Sequence, residues 1–181
     1  VGFKPGIIGI SGPSRHYKTG YALQLGAAFQ RKHKDGVVLF IDTEFGSPES
    51  YFRNSGMDPE RVIHVPVTNL EEMTHELMQQ VDGLDRNDKV MIIIDSIGNV
   101  ASKKEVDNSL DGKGTQDMTR AQKMKSMFRQ VTPMARLKNI TIVFINHVYQ
   151  EIGPMYAKTI MSGGQGPMLA ADTVFIIGRS Q

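Results

Sequence analysis

The chain has no cysteine and no tryptophan among its 181 residues, and only 7% of them are aromatic. Without cysteine there is no disulfide framework and no thiolate metal site, a composition compatible with a reducing compartment. No apolar run approaches the roughly 20 residues of a membrane-spanning helix, and the N-terminus lacks the charged-then-apolar layout of a secretory leader. Charge of one sign is also missing: 21 Lys and Arg face 19 Asp and Glu, a formal +2. Affinity for a polyanion therefore has to come from a local basic patch rather than from the whole surface. No repeat and no linker divides the chain, and its length suits one domain, residues 1–181, with a sizeable core.

What the chain does have is a rhythm of short runs rich in Val and Ile: GIIGIS (6–11), VVLFID (37–42), VIHVPV (62–67), VMIIID (90–95), ITIVFIN (140–146) and TVFIIG (173–178). Each is apolar on both faces, the pattern of strands buried in a parallel sheet. Helical stretches separate them. Residues 19–34 carry Tyr21, Leu23, Leu25, Ala28 and Phe29. Residues 69–84 open on Asn69 with Glu72 three positions later, a cap with a reciprocating partner. Residues 115–137 predict a long basic helix that Pro133 should bend or break. Strand alternating with helix predicts an α/β fold, a mostly parallel central sheet flanked by helices in three layers. Two stretches fall outside the alternation, the polar residues 101–116 and the Gly- and Pro-containing residues 149–168. Each follows the C-terminal end of a strand, the edge where open α/β sheets bind ligands, so both are expected to be functional loops.

The first strand runs into GPSRHYKT (12–19), which nearly spells the phosphate-binding pattern G-x-x-x-x-G-K-[ST] but has Tyr17 at the second glycine. In such a loop backbone N–H groups and a helix N-terminus cradle phosphates, the lysine reaches the terminal ones, and the hydroxyl ligates Mg²⁺. Gly12, Pro13, Ser14, Arg15, His16, Tyr17, Lys18, Thr19 and Gly20 are thus candidate ATP contacts; the alternative is a surface turn with a solvated lysine. VMIIIDS ends a buried strand on Asp95, suited to hold Mg²⁺ directly or through water, with the capping of a turn as the plain alternative. LFIDTEFG ends another on Asp42 and Glu44, where a carboxylate can orient or deprotonate an attacking water; helix capping by Asp42 and a solvated Glu44 is the plain alternative. FINH ends a third on Asn146 and His147, and a lone histidine there is more often structural. Four strand ends of complementary chemistry make coincidence a poor explanation and point to a nucleotide–Mg²⁺ site.

In order along the chain, GPSxxxKT, the strand ending D-x-EFG, MDPERVIHVPV, IDSIGNVASKKE, DMTRAxxMKSMFR, INHVY and GGxGPMxxADTVFIIG resemble the RecA family of ATP-dependent DNA recombinases, and within it the branch from tailed bacteriophages. That branch carries an aromatic residue before the loop lysine, as Tyr17 is here. The resemblance implies the RecA-type phosphate-loop fold, ATP and Mg²⁺ as cofactors, and catalytic roles for Glu44 as the water-activating base, Lys18 and His147. His147 stands where bacterial members have a glutamine that senses the γ-phosphate, and its protonation would add a pH dependence. Tyr51 matches an aromatic that stacks on adenine, with packing of a short helix as the alternative.

The same resemblance makes the two irregular stretches DNA-binding loops. It implies phosphate contacts for Lys103, Lys104 and Lys113 in the first, although each lysine singly is better explained as a solvated charge. It implies backbone amides at Gly163 and Gly164 against a DNA phosphate in the second. Arg129 matches an arginine that grips the phosphate backbone, and Lys125 shares its helix face. Met155, Tyr156, Ile160 and Met161 either wedge between bases or pack when the loop orders. Expected partners are single- and double-stranded DNA, further copies in a helical filament, a single-strand-binding protein and a loading mediator. No membrane is implied, and the expected location is the cytoplasm of an infected bacterial host. The N-terminal docking segment and the sequence after the core that family members use are expected to be lacking. Three competing readings remain: a ring-forming helicase or clock-type ATPase on the same core, a DNA-binding mediator or paralogue with an idle ATP site, and a small-molecule kinase.

Overall fold

The computed structural model describes residues 5–112, 118–152 and 157–178. Its elements are β1 (Ile7–Gly12), α1 (Lys18–Lys32), β2 (Val37–Asp42), α2 (Glu49–Asn54), β3 (Val62–Pro66), α3 (Leu70–Gly83), β4 (Val90–Asp95), α4 (Lys103–Leu110), α5 (Arg120–Leu137), β5 (Thr141–Ile152), β6 (Ala157–Met161), α6 (Gly166–Ala170) and β7 (Thr173–Ile176). Among the described residues seven strands form one sheet in the order β3-β2-β4-β5-β1-β7, all parallel, with β6 antiparallel to the far half of β5. This is the predicted α/β fold with helices on both faces.

Alternation along each strand divides the core in two. Leu39 and Ile41, Ile92 and Ile94, Ile142 and Phe144 point to the face covered by α3 and α5, through Met73, Leu77, Met127 and Phe128. Val38 and Phe40, Met91 and Ile93, Val143 and Ile145 point to the face covered by α1 through Ala22, Leu23 and Ala27. A strand buried on both faces has to be apolar at every position, which is why these runs show no alternation. The edge strands depart from that expectation. Ile63 in β3 is 51% exposed and Ile176 in β7 is 64% exposed, because an edge strand has a neighbour on one side only.

Four other expectations change. Residues 101–116 are not a plain loop: α4 occupies Lys103–Leu110, started by Ser102 and Glu105, whose side chains and backbone amides exchange hydrogen bonds in a capping box. Nor are residues 149–168 loop-like throughout, since β5 continues to Ile152 and β6 returns along it. At α3 Asn69 caps as expected, accepting from the Glu72 amide at 2.9 Å, but Glu72 does not reciprocate. Its Oε2 accepts instead from the Thr68 amide and hydroxyl, both at 2.7 Å. Pro133 sits on the exposed side of α5 without ending it, where water can reach the carbonyl that proline leaves unpaired.

Candidate nucleotide and nucleic-acid site

β1 ends at Gly12, where an added Cβ would lie 2.7 Å from the Ile177 carbonyl oxygen, so the loop begins under close backbone contact with the segment after β7. The loop then turns into α1 through Tyr17, held at φ 54° and ψ 24° in the left-handed region. That conformation explains the glycine of the usual pattern: a residue with a side chain is strained there by about 1–2 kcal/mol. The Tyr17 ring points away from the core and is 83% exposed. Helix α1 has no side-chain cap and no acidic residue in its first turn. Among the described residues no acceptor takes the backbone N–H of Ser14, Arg15, His16 or Tyr17. Uncapped amides at the positive end of a helix form an anion site. Gly20 stands in the first turn of α1, where an added Cβ would touch nothing within 4 Å.

Lys18 lies buried beside the loop and donates to the Pro13 carbonyl at 2.7 Å. Burial lowers its pKa, while Glu44 and Asp95 oppose that shift. The Thr19 hydroxyl donates to Asp95 Oδ2 at 2.7 Å, although the two residues are 76 positions apart. Burial pushes the Asp95 carboxyl up to about 6, against the Thr19 hydrogen bond. Among the described residues no cluster of three or more His, Asp or Glu could hold a metal by itself. One hydroxyl and one carboxylate, both hard oxygen donors, fit a Mg²⁺ that takes its remaining ligands from phosphate and water.

Opposite the loop, Asp42 at the end of β2 is 1% exposed, and its Oδ1 accepts from the amides of Glu44 (3.0 Å) and Phe45 (2.7 Å). Asp42 therefore caps no helix, since α2 begins only at Glu49; it builds the turn instead, and Glu44 is left facing the cleft. Glu44 Oε1 lies 3.5 Å from His147 Nε2 and accepts from the Ser96 hydroxyl at 2.9 Å. The His147 ring foremost, and then Ser96, hold Glu44 below the usual carboxylate range despite partial burial. The Asn99 side-chain nitrogen lies 3.1 Å from the same His147 Nε2, so the tautomer decides which neighbour that atom serves. Together Ser14 to Thr19, Glu44, Tyr51, Asp95, Ile145 and His147 line a cleft of about 390 Å³. Tyr51 is 41% exposed on α2, at the wall rather than in the packing of that helix, whose buried residue is Phe52.

The proposed DNA contacts lie elsewhere. Lys103 and Lys104 are exposed in the first turn of α4. Lys125 and Arg129 are exposed on α5 beside a groove shared with Gly166 and Leu169 of α6. Gly163 and Gly164 form the turn between β6 and α6 at φ 82° and 75°, which favours glycine whatever approaches them. Lys113, Met155 and Tyr156 lie outside the described residues. Ile160 is half-buried in β6, and Met161, at 8% exposure, belongs to the core, so the packing alternative holds for Met161.

The model of the RecA N-terminal domain family matches residues 2–173. This chain belongs to the RecA family. A recombination and repair protein of Enterobacteria phage T4 is 48% identical over 180 residues, covering 99% of this chain and 46% of that protein. The RecA proteins of Wolinella succinogenes and Ruminococcus albus are 31% and 30% identical, over 82% and 84% of this chain and 41% and 36% of their own length. The chain thus spans less than half the length of these curated relatives.

In this RecA-family core, several polar residues that join the strand ends were not singled out from sequence. Thr43 accepts from the Ser96 amide at 2.9 Å and donates to the Ser96 carbonyl at 2.8 Å, tying the Glu44 turn to the end of β4. Arg120 donates to the carbonyls of Val100, Ile97 and Gly98 and so holds the segment after β4 against α5. Ser162 donates to the Gly98 carbonyl at 2.9 Å, and its own carbonyl accepts from Asn146 at 2.9 Å, so the turn after β6 is bonded to the same segment. The available signal was the run of small polar residues directly after buried strands, as in IDSIGN, but their partners are distant in sequence.

Proposed function

We propose that this chain is the ATPase core of a phage-type recombination protein that binds ATP with Mg²⁺ and single-stranded DNA. In its full-length form it would assemble on DNA as a helical filament for pairing and strand exchange. The observation that carries the ATPase reading is the convergence at one cleft. Open loop amides, Lys18 and the Thr19–Asp95 pair sit on one side, and Glu44, held by Ser96 and His147, on the other. Mg²⁺, when bound, would neutralise charge on the phosphates. The loop amides and Lys18 would orient the β- and γ-phosphates, and Thr19 and Asp95 would hold the cation. Glu44, kept ionised below the usual carboxylate range, orients and deprotonates the attacking water. His147 contacts Glu44 and lies beside Gly98, where an added Cβ would be 2.6 Å from the ring. A displacement of His147 on loss of the γ-phosphate would therefore be felt in the segment joining β4 to α4 and, through Ser162, in the turn before α6. Lys103, Lys104, Lys125, Arg129 and the Gly163–Gly164 amides would meet DNA phosphates along those segments, with double-stranded DNA as the pairing target. A single-strand-binding protein and a loading mediator would be its partners in the cytoplasm of an infected bacterium.

Tyr17 favours a second reading, a DNA-binding paralogue whose ATP site is idle, because its conformation strains the phosphate loop. Steady-state ATP hydrolysis with and without single-stranded DNA separates the two, using the wild type and Glu44→Gln. The ATPase reading expects DNA-stimulated turnover, lowered by about 10²–10⁴-fold in Glu44→Gln with ATP affinity retained. Tight DNA binding with no turnover in the wild type would favour the idle site.

A further inference from the structure

The turn that presents Glu44 contains a strained residue. Phe45 adopts φ 55° and is 61% exposed, so neither its own backbone preference nor burial of its ring holds it there. What holds it is Asp42 Oδ1, which accepts from both Phe45 and Glu44 amides. A carboxylate that braces a turn through one oxygen must have its plane fixed through the other. Asp42 Oδ2 lies 3.0 Å from Nε2 of His64, on edge strand β3, 22 residues along the chain. The His64 ring is itself oriented, edge-on to Phe40 at 5.9 Å and to Phe52 at 5.7 Å between ring centres. Asp42 is nearly inaccessible to water, so without that N–H its second oxygen would sit buried without the side-chain donor it now has.

We infer that His64 is a positioning residue for ATP hydrolysis: by donating Nε2–H to Asp42 it fixes the carboxylate that sets the Glu44 turn, and so places the base without touching nucleotide. The inference rests on the reading of Glu44 as the water-activating group. His64 lines no part of the nucleotide cleft, so its loss acts on turnover and spares nucleotide binding. The rotation of one carboxylate is a small displacement, but a base held about 1 Å from its productive place loses much of its effect.

The test uses the full-length protein, with His64→Phe, which keeps the aromatic packing but removes the donor, and His64→Gln, whose amide N–H restores it. Melting curves check folding, and His64→Met replaces the phenylalanine variant should the latter not fold. Saturating single-stranded DNA and ATP give kcat, and a non-hydrolysable ATP analogue gives affinity. His64→Phe should lower kcat about tenfold with analogue affinity within about twofold of wild type, and His64→Gln should recover most of the rate. Unchanged kcat in the donor-less variant, a glutamine variant no better than it, or affinity falling in step with kcat would each overturn the inference. Glu44→Gln is run alongside. A slow Glu44→Gln with a normal His64→Phe sinks the positioning role alone, whereas a normal Glu44→Gln removes the reading of the base and this inference with it.

Discussion

Lys18, Asp42 and Asp95 around the nucleotide cleft are 6%, 1% and 5% exposed, and each makes a hydrogen bond of 3.0 Å or less to a fixed partner. Lys103, Lys104, Lys125 and Arg129 on α4 and α5 stand in solvent. The difference teaches what each proposed task demands. Positioning a phosphate, a cation and a water requires donors locked in low-dielectric surroundings, and the buried ends of parallel strands supply that lock. Gripping a DNA backbone requires charge at suitable spacing on a surface, and the charges need no preset geometry. Changes in the first region should therefore act in an all-or-none manner and depend on pH, whereas changes in the second should be graded and depend on salt.

The strongest test of that contrast is Lys18→Ala, which should reduce ATP affinity beyond ready detection by calorimetry, since no other described cation lies in the loop's buried part. Unchanged affinity would remove the phosphate-loop assignment. Next in size is a pH effect at Asp95. Its folded pKa, about 6, lies above the ordinary carboxyl value of 3.8, so between those values the folded apo-protein holds a proton that the unfolded chain has lost. Acidification through that window stabilises the apo-protein at this site. The same proton competes with the cation, so Mg²⁺-dependent nucleotide binding should weaken as pH falls below about 6, approaching tenfold per unit. Titrations at several pH values, corrected for protonation of the nucleotide itself, check this.

Arg129→Ala should have a moderate effect of a different kind. DNA affinity should fall for every sequence alike, and the slope of log affinity against log salt should become shallower by about 0.7, the value for one phosphate contact on a single strand. An unaltered slope would free Arg129 from the DNA contact. The smallest effect expected is that of Tyr17→Gly. Relief of the left-handed strain should add up to about 1 kcal/mol, or roughly 2–4 °C in thermal midpoint, with phosphate affinity retained. Loss of ATP binding in that variant would give the exposed ring a role in the cleft and blur the contrast.

Much of the first region is legible in the sequence because its residues follow buried runs directly. VMIIID and LFIDTE carry their chemistry at the point where an apolar strand meets the sheet edge. The second region is less legible. Helix α4 buries no residue and has only Val106 and Leu110 as apolar members, so its clearest local signal is the S-x-x-E of Ser102 and Glu105. Continuation of β5 past His147 depends on pairing with β6 rather than on its own pattern. Edge strands read as buried ones because Ile63 and Phe175 record hydrophobicity and not the number of neighbours.

By itself the sequence determined six of the seven described strands along the chain, the loop between β1 and α1, and which carboxylates stand at strand ends, since each depends on residues adjacent in the chain. Only the tertiary structure decided that Thr19 meets Asp95, that Asp42 braces a turn rather than facing the cleft, and that His64 stands behind it. Those contacts join residues 76, 2 and 3, and 22 positions apart, respectively. The first depends on α1 packing against β4, and the last on β3 lying beside β2. Even the short-range bonds of Asp42 need the left-handed turn at Phe45, whose strain only the folded surroundings can hold.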